Sequence, residues 1–96
     1  MKEECQKCAE LSVRHEILSP AQLTKTIRVL RANVADGTLV DITQPAHSPS
    51  GEFSELSDVA PWPDYVEHYF RCTACGQRFR LSADTYHGAG GEWELF

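Results

Sequence analysis

The hydrophobic pattern of the first third of the chain predicts one amphipathic helix. Apolar side chains recur at the spacing that puts them on one helix face, and they are Leu23, Ile27, Leu30 and Val34. Ser19 is a favourable N-cap, Pro20 suits the first helical position, and Gln22 at the third position completes a capping box. Because Gly37 suits the left-handed conformation that ends many helices, we expect the helix to run from about 20 to 35.

Strands are predicted where apolar and polar residues alternate. The expected strands cover about Leu11–Ile17, Thr38–Ile42, Tyr65–Cys72, Gln77–Ala83 and Gly91–Phe96. A loop from about 44 to 64 separates the second strand from the third, and its length indicates either a functional segment or a partly mobile one. The pattern therefore predicts an α+β domain in which one helix packs on a small antiparallel sheet.

Composition limits the class of protein. A chain of 96 residues supports one domain, here expected to span residues 1–96. Its 42% apolar and 24% charged residues are typical of a folded globular protein. No apolar run is long enough to cross a bilayer, and the polar first residues do not have the pattern of a signal peptide. We therefore expect a cytoplasmic protein.

The formal net charge of −5 comes entirely from the second half of the chain. An acidic stretch without any Lys or Arg contains Glu52, Glu55, Asp58, Asp64 and Glu67. Such a stretch is either a solvated loop or a docking surface for a basic partner, because acidic patches attract positive ones and repel nucleic acid.

Large apolar residues are interleaved with these acids, and they are Phe53, Leu56, Val59, Trp62 and Tyr65. They either anchor a partner inside an acidic rim or fix the loop to the core. The residues that we expect to contact a protein partner are Glu52, Glu55, Asp58, Trp62 and Asp64.

The strongest chemical signal is a pair of CxxC motifs that contains every cysteine of the chain. The motifs are Cys5-Gln-Lys-Cys8 and Cys72-Thr-Ala-Cys75. Two residues between the cysteines let one turn point both sulfurs at the same ion, and two such turns provide the four sulfurs that zinc prefers. We therefore predict one structural Zn²⁺ per chain, held by Cys5, Cys8, Cys72 and Cys75.

The second motif resembles the knuckle of a zinc ribbon. Residues 70–79, Phe-Arg-Cys-Thr-Ala-Cys-Gly-Gln-Arg-Phe, match the pattern aromatic, x, Cys, x, x, Cys, Gly, x, x, aromatic. The resemblance implies a four-cysteine site that joins the N-terminus to a C-terminal knuckle and hairpin within residues 65–96. The chain departs from the family because Ala9 replaces the usual glycine of the first knuckle and 63 residues separate Cys8 from Cys72. This insert puts the simple three-stranded form of the family in doubt, but it adds little loop-closure cost to metal binding.

Other chemistry has weaker support. Disulfides are unusual in a cytoplasmic chain, and neither CxxC motif has the strand-to-helix context of a redox site. A shell of four thiolates leaves no open position for catalysis. His87 lies beside Asp84 and Thr85 before the Gly88–Gly91 run, which indicates a hydrogen-bonded turn more than an active site. We expect no enzymatic activity.

These patterns favour a non-catalytic, zinc-binding domain that binds another protein. Four thiolates and one Zn²⁺ would bring the net charge from −5 to about −7, which argues against nucleic acid. Size and charge suit an inhibitor or immunity-type protein that neutralises a basic toxin. The alternative is a nucleic-acid-binding or transcription accessory zinc ribbon that would use Lys25, Arg28, Arg71, Arg78 and Arg80. A CxxC redox protein is the third hypothesis.

Overall fold

The computed structural model describes residues 8–44, 53–85 and 90–96. Its helix is α1 (Pro20–Ala35), and its strands are β1 (His15–Ile17), β2 (Leu39–Asp41), β3 (Tyr65–Cys72), β4 (Arg78–Asp84) and β5 (Gly90–Leu95). Among the described residues, two short 3-10 helices cover Ala9–Leu11 and Phe53–Glu55. Within the described ranges, no helix is both long and apolar enough to cross a membrane.

The five strands form one antiparallel sheet in the order β1-β5-β4-β3-β2. Helix α1 follows the strand at one edge and leads to the strand at the other edge, so the chain crosses the sheet through the helix. The prediction of one helix on an antiparallel sheet is confirmed.

The start of α1 follows from its capping residues. The Ser19 hydroxyl accepts a hydrogen bond from the Gln22 backbone N–H at 3.2 Å, as expected for an N-cap. The Gln22 side chain reaches back one residue further than in a capping box, because its Oε1 accepts from the Leu18 N–H at 2.6 Å. At the other end, Gly37 has a φ of 85°, which favours glycine. The predicted helix bounds are therefore confirmed.

The core lies between α1 and one face of the sheet. Every second residue of β3 is buried, and β4 and β5 continue the same layer, so that the largest buried side chains are the aromatic rings of Phe70, Phe79 and Trp93. Helix α1 covers this layer with Leu23, Ile27 and Leu30. The opposite face of the sheet carries the alternating polar residues, as expected for a half-buried antiparallel sheet.

The first strand is shorter than the alternation of residues 11–17 predicts. Leu11 ends a 3-10 helix instead, where its N–H donates to the Cys8 carbonyl at 3.0 Å. Its own carbonyl accepts from the indole of Trp93, 82 residues later in the chain. The strand prediction for residues 11–14 is therefore wrong. It relied on the local alternation of apolar and polar residues, which carries no information about a contact with Trp93.

Candidate metal centre

The C-terminal CxxC motif forms the turn between β3 and β4. Cys72 ends β3, and the Gly76 N–H donates to the Cys72 carbonyl at 2.9 Å, which closes the turn around Cys75. Gly76 has a φ of 80°, a conformation that residues with a Cβ rarely adopt. The Cys72 N–H in turn donates to the Gln77 carbonyl at 2.8 Å. We call residues 72–77 the knuckle.

The knuckle is fixed to the end of the helix. The Thr73 N–H donates to the Thr38 carbonyl at 2.9 Å, and the Thr73 hydroxyl donates to the Gly37 carbonyl at 2.6 Å. Leu39 pairs with Cys72 across β2 and β3. The position of the two knuckle cysteines is therefore set by the main fold as well as by the turn itself.

Cys8 reaches the knuckle from the start of the chain. It precedes the first 3-10 helix and is 1% exposed. The Ser12 hydroxyl donates to the Cys8 carbonyl at 2.9 Å and lies 3.6 Å from the Cys8 sulfur. The sequence motifs did not identify Ser12, because it lies outside the CxxC motif of Cys5 and Cys8 and no spacing rule predicts its contact with Cys8.

Three cysteine sulfurs converge at this point, and we call Cys8, Cys72 and Cys75 the thiol cluster. Their sulfur atoms all lie within 4.8 Å of one another, close enough to bind one metal ion. The Cys8 and Cys75 sulfurs are 3.6 Å apart, whereas a disulfide bond measures about 2.05 Å. Two thiolates at tetrahedral angles, each about 2.3 Å from one zinc ion, would lie roughly 3.8 Å apart. The separation of the Cys8 and Cys75 sulfurs is therefore compatible with binding to one common ion.

The burial of the thiol cluster suits a structural ion. Cys72 is buried like Cys8, and Cys75 is partly exposed where it packs against the core. Cys5, the fourth predicted ligand, lies outside the described residues. The structure thus brings together three of the four predicted ligands, separated by up to 67 positions in sequence.

The loop before β3, which carries most of the acidic stretch, is fixed to the core by two of its apolar residues. Phe53 and Leu56 are 3% and 4% exposed, and the Phe53 ring meets the Phe70 ring edge-on at 4.8 Å between centroids. Arg31 of the helix donates to the Leu56 carbonyl. Phe53 and Leu56 therefore fix the loop to the core and do not anchor a partner.

The acidic residues of the loop differ in their surroundings. Asp58 accepts from the Arg28 guanidinium at 2.7 Å, and this hydrogen bond lowers the pKa of the Asp58 carboxyl. Asp64 is exposed, and Trp62 is partly buried against the core. Glu52 lies outside the described residues, as does the side chain of Glu55. Asp58 is thus engaged within the molecule, while Asp64 faces solvent.

The five cations of the nucleic-acid hypothesis lie on two opposite surfaces. Lys25 and Arg28 are exposed on the helix, whereas Arg71, Arg78 and Arg80 lie at the polar positions of β3 and β4, on the face away from the helix. These cations therefore do not form one continuous surface.

Arg80 is bound within the outer face of the sheet. Its guanidinium contacts the Glu94 carboxylate at 3.0 Å and the Glu67 carboxylate at 3.2 Å. Burial lowers the pKa of Arg80. The hydrogen bond to Glu94 and the nearby negative charge raise the pKa by more than burial lowers it, so that the net shift is upward. The ion pairs of Arg80 with Glu67 and Glu94 therefore stabilise the outer face of the sheet.

The histidines do not form a common site among the described residues. His68 is buried on the helix-facing side of β3, next to the Phe53 ring at 5.4 Å. His15 lies 3.4 Å from the Thr26 hydroxyl. His47 and His87 fall outside the described residues, as do Gly88 and Ala89.

Comparisons with protein-family models, with curated proteins and with solved structures give no match for this chain. Its function is therefore inferred from the geometry of the thiol cluster and from the distribution of charge over the described surface.

Proposed function

We propose that this chain is a zinc-stabilised, non-catalytic domain of the zinc-ribbon kind that acts by binding a basic protein. The observation that carries the proposal is the convergence of three cysteine sulfurs within 4.8 Å. Sets of thiolates with tetrahedral spacing are the preferred ligands of structural Zn²⁺. Cys5 is the proposed fourth ligand, because it belongs to the same CxxC motif as Cys8.

The proposed ion has a structural role. It would connect the start of the chain to the knuckle between β3 and β4. Structural zinc contributes on the order of 10 kcal/mol to the folding of small domains at neutral pH. Four thiolates fill the coordination shell, so no position remains for a substrate or an activated water.

The choice of partner rests on charge. The chain carries −5 before metal binding and would carry about −7 with zinc on four thiolates. Asp64 is exposed and lines the same groove as Trp62. Aromatic residues are enriched at protein interfaces, and an exposed carboxylate attracts a basic partner. An inhibitor or immunity-type protein that neutralises a basic toxin is the specific role that this combination favours.

The alternatives receive less support from the described residues. A nucleic-acid surface would need its cations together, whereas Arg28 pairs with Asp58 and Arg80 pairs with Glu67 and Glu94. A redox role would need a reactive cysteine pair of the thioredoxin type, but the knuckle of residues 72–77 lies between two strands and not at the start of a helix.

The metal half of the proposal is tested by elemental analysis of the chain purified without chelator. We expect about one zinc per chain, loss of that zinc in Cys72→Ser, and loss or strong weakening in Cys5→Ser. Ala74→Ser, in the same turn, leaves every sulfur in place and should keep the metal. Substitution with Co²⁺ then reports the number of sulfur ligands through the thiolate-to-metal charge-transfer bands. A folded, metal-free protein with two disulfides would refute the proposal.

The partner half is tested with the product of the adjacent gene, co-expressed with the full-length chain. If the chain is an immunity-type inhibitor, the adjacent product alone reduces viability, and co-expression restores growth and yields a complex on size exclusion. The complex should weaken as salt rises, because charge attraction is screened. Absence of both protection and complex would reject this role, and a mobility shift of DNA or RNA at low salt would favour the nucleic-acid alternative.

A further inference from the structure

A groove of about 430 Å³ lies between the start of α1, the loop before β3 and the end of β4. This volume falls in the range of roughly 300–1,000 Å³ that is usual for ligand pockets. The groove is apolar at its base, where Leu23 and Ala83 are 2% and 3% exposed. Trp62 and Leu18 form its sides, and Leu18 is 71% exposed, which leaves a large apolar side chain available at the opening.

The charge at the rim of the groove has one sign. Asp64 and Asp84 both line it, and no lysine or arginine is among the described lining residues. Asp64 is exposed. The nearby Asp58 pairs with Arg28 at 2.7 Å. The rim therefore favours a cationic group above an apolar base.

The walls of the groove are held by hydrogen bonds of the fold. The Trp62 indole N–H donates to the Ser57 carbonyl at 2.8 Å, which fixes one side. The Thr85 N–H donates to the Asp64 carbonyl at 2.9 Å, and the Thr85 hydroxyl donates to the Pro63 carbonyl. These bonds connect the loop before β3 to the end of β4. Because this side of the groove is already ordered, less conformational entropy is lost there when a ligand binds.

We propose that this groove is the docking site for an arginine side chain presented by a protein partner. The apolar base suits the aliphatic part of that side chain, and the Asp64 carboxylate suits its guanidinium. The Trp62 ring is the aromatic group on which a guanidinium packs most favourably. The proposal rests on the basic protein partner of the proposed function and specifies where that partner is recognised.

Arginine fits these features better than other cationic groups. A planar guanidinium both pairs with a carboxylate and stacks on an indole, whereas a lysine ammonium is a compact and strongly hydrated point charge. Metal cations have no apolar segment to cover Leu23 and Ala83, and a polyamine has no planar group that pairs with the Asp64 carboxylate. Arginine is also among the residue types most enriched at the positions that contribute most to protein binding.

The proposal is tested by NMR titration of the zinc-loaded chain with a blocked Gly-Gly-Arg-Gly-Gly peptide. The matched peptide carries citrulline, which keeps the shape of arginine without its charge. We expect the arginine peptide to shift the Trp62 indole N–H and the Leu18 methyl signals in a saturable way, and to bind at least roughly fivefold more tightly than the citrulline peptide. Asp64→Asn should weaken the arginine peptide by roughly two- to fivefold, the effect of one exposed charge pair.

Glu16→Gln is the matched control, because Glu16 is an exposed carboxylate of β1 that does not line the groove. Equal affinity of the two peptides, or equal weakening by Glu16→Gln and Asp64→Asn, would overturn the proposal. Tighter binding of spermidine than of the arginine peptide would also overturn it, in favour of a polyamine site. Zinc content is measured in the same samples. Absence of zinc would argue against the proposed metal centre, whereas a zinc-loaded chain that does not bind the arginine peptide would argue against the groove alone.

Discussion

The indole N–H of Trp93 donates a buried hydrogen bond to the Leu11 carbonyl at 2.8 Å. Trp93 lies in β5, where its ring also stacks on the Phe79 ring with 5.0 Å between centroids. Leu11 ends the 3-10 helix that begins directly after Cys8. The bond therefore holds the segment that carries Cys8 against the sheet that carries the knuckle.

Trp93→Phe should destabilise the protein and weaken zinc binding together. The change keeps an aromatic ring but removes the donor, which leaves the buried Leu11 carbonyl without this bond and costs about 1–3 kcal/mol. Urea unfolding of the zinc-loaded protein and competition with a zinc chelator measure the two effects.

Trp62→Phe is the matched control, because the Trp62 indole also donates to a carbonyl, that of Ser57, but in an exposed setting. It should cost less than Trp93→Phe and leave zinc affinity unchanged. Equal zinc affinity in Trp93→Phe and the unaltered protein would mean that this bond has no part in positioning Cys8.

Gly91→Ala should prevent the normal pairing of β4 with β5. A Cβ at Gly91 would lie 1.9 Å from the Ser82 carbonyl oxygen, which belongs to the backbone and cannot rotate away. We expect a cost above the roughly 1–3 kcal/mol that is usual for an overpacked side chain. Thermal unfolding monitored by circular dichroism measures it.

Gly37→Ala provides the comparison for this substitution. Gly37 has a φ of 85° but no atom within 4 Å of an added Cβ, so its cost is limited to about 1–2 kcal/mol for the left-handed conformation. If Gly91→Ala were no more destabilising than Gly37→Ala, the close approach of β5 to Ser82 would be relaxed in solution.

The two glycines show which parts of the fold could be predicted from the sequence. Gly37 stands after an amphipathic pattern with a capped start, and such local signals predict a helix end without knowledge of the rest of the fold. The requirement for glycine at position 91 comes from a neighbouring strand, which no local pattern reveals. Trp93 is similar, because its partner Leu11 is 82 positions away.

The candidate metal site was predictable to the extent that its signal is local. CxxC spacing identified Cys72 and Cys75, and Gly76 indicated the turn, because each depends on adjacent residues. The contact of Ser12 with Cys8 spans only four positions but belongs to no recognised motif, whereas the contacts of Thr73 with Gly37 and Thr38 depend on tertiary structure. The pairing of Asp58 with Arg28 likewise joins two segments 30 positions apart. Charge counts alone therefore overstated the negative charge that the loop offers to a partner.

Glu67→Gln should lower the pKa of Tyr69. The Tyr69 hydroxyl donates to the Glu67 carboxylate at 2.7 Å, and this hydrogen bond raises the pKa of the phenol above its ordinary value of 10.0 by stabilising the neutral form. Removal of the negative charge reduces this stabilisation, while Arg80 remains nearby to favour the phenolate. Titration of the Tyr69 Cζ signal by NMR measures the change. Glu16→Gln, which changes an exposed carboxylate of β1, should leave the Tyr69 pKa unaltered, and an equal shift in both variants would show only a general charge effect.

His68 should make the folded protein less stable below about pH 6.5, its ordinary pKa. Burial lowers the pKa of His68, against the opposing charges of Asp41 and Glu67. The unfolded chain therefore takes up a proton first as the pH falls, and folding stability decreases from the unfolded pKa down to the lowered folded pKa. The loss cannot exceed about 1.4 kcal/mol per pH unit for one proton. His68→Leu should remove this part of the pH dependence, whereas acid release of the proposed zinc ion from the cysteines would be common to both proteins. Urea unfolding at about pH 7.5 and about pH 5.5 measures the difference between the two slopes, and identical slopes would show that His68 titrates alike in the folded and unfolded chain.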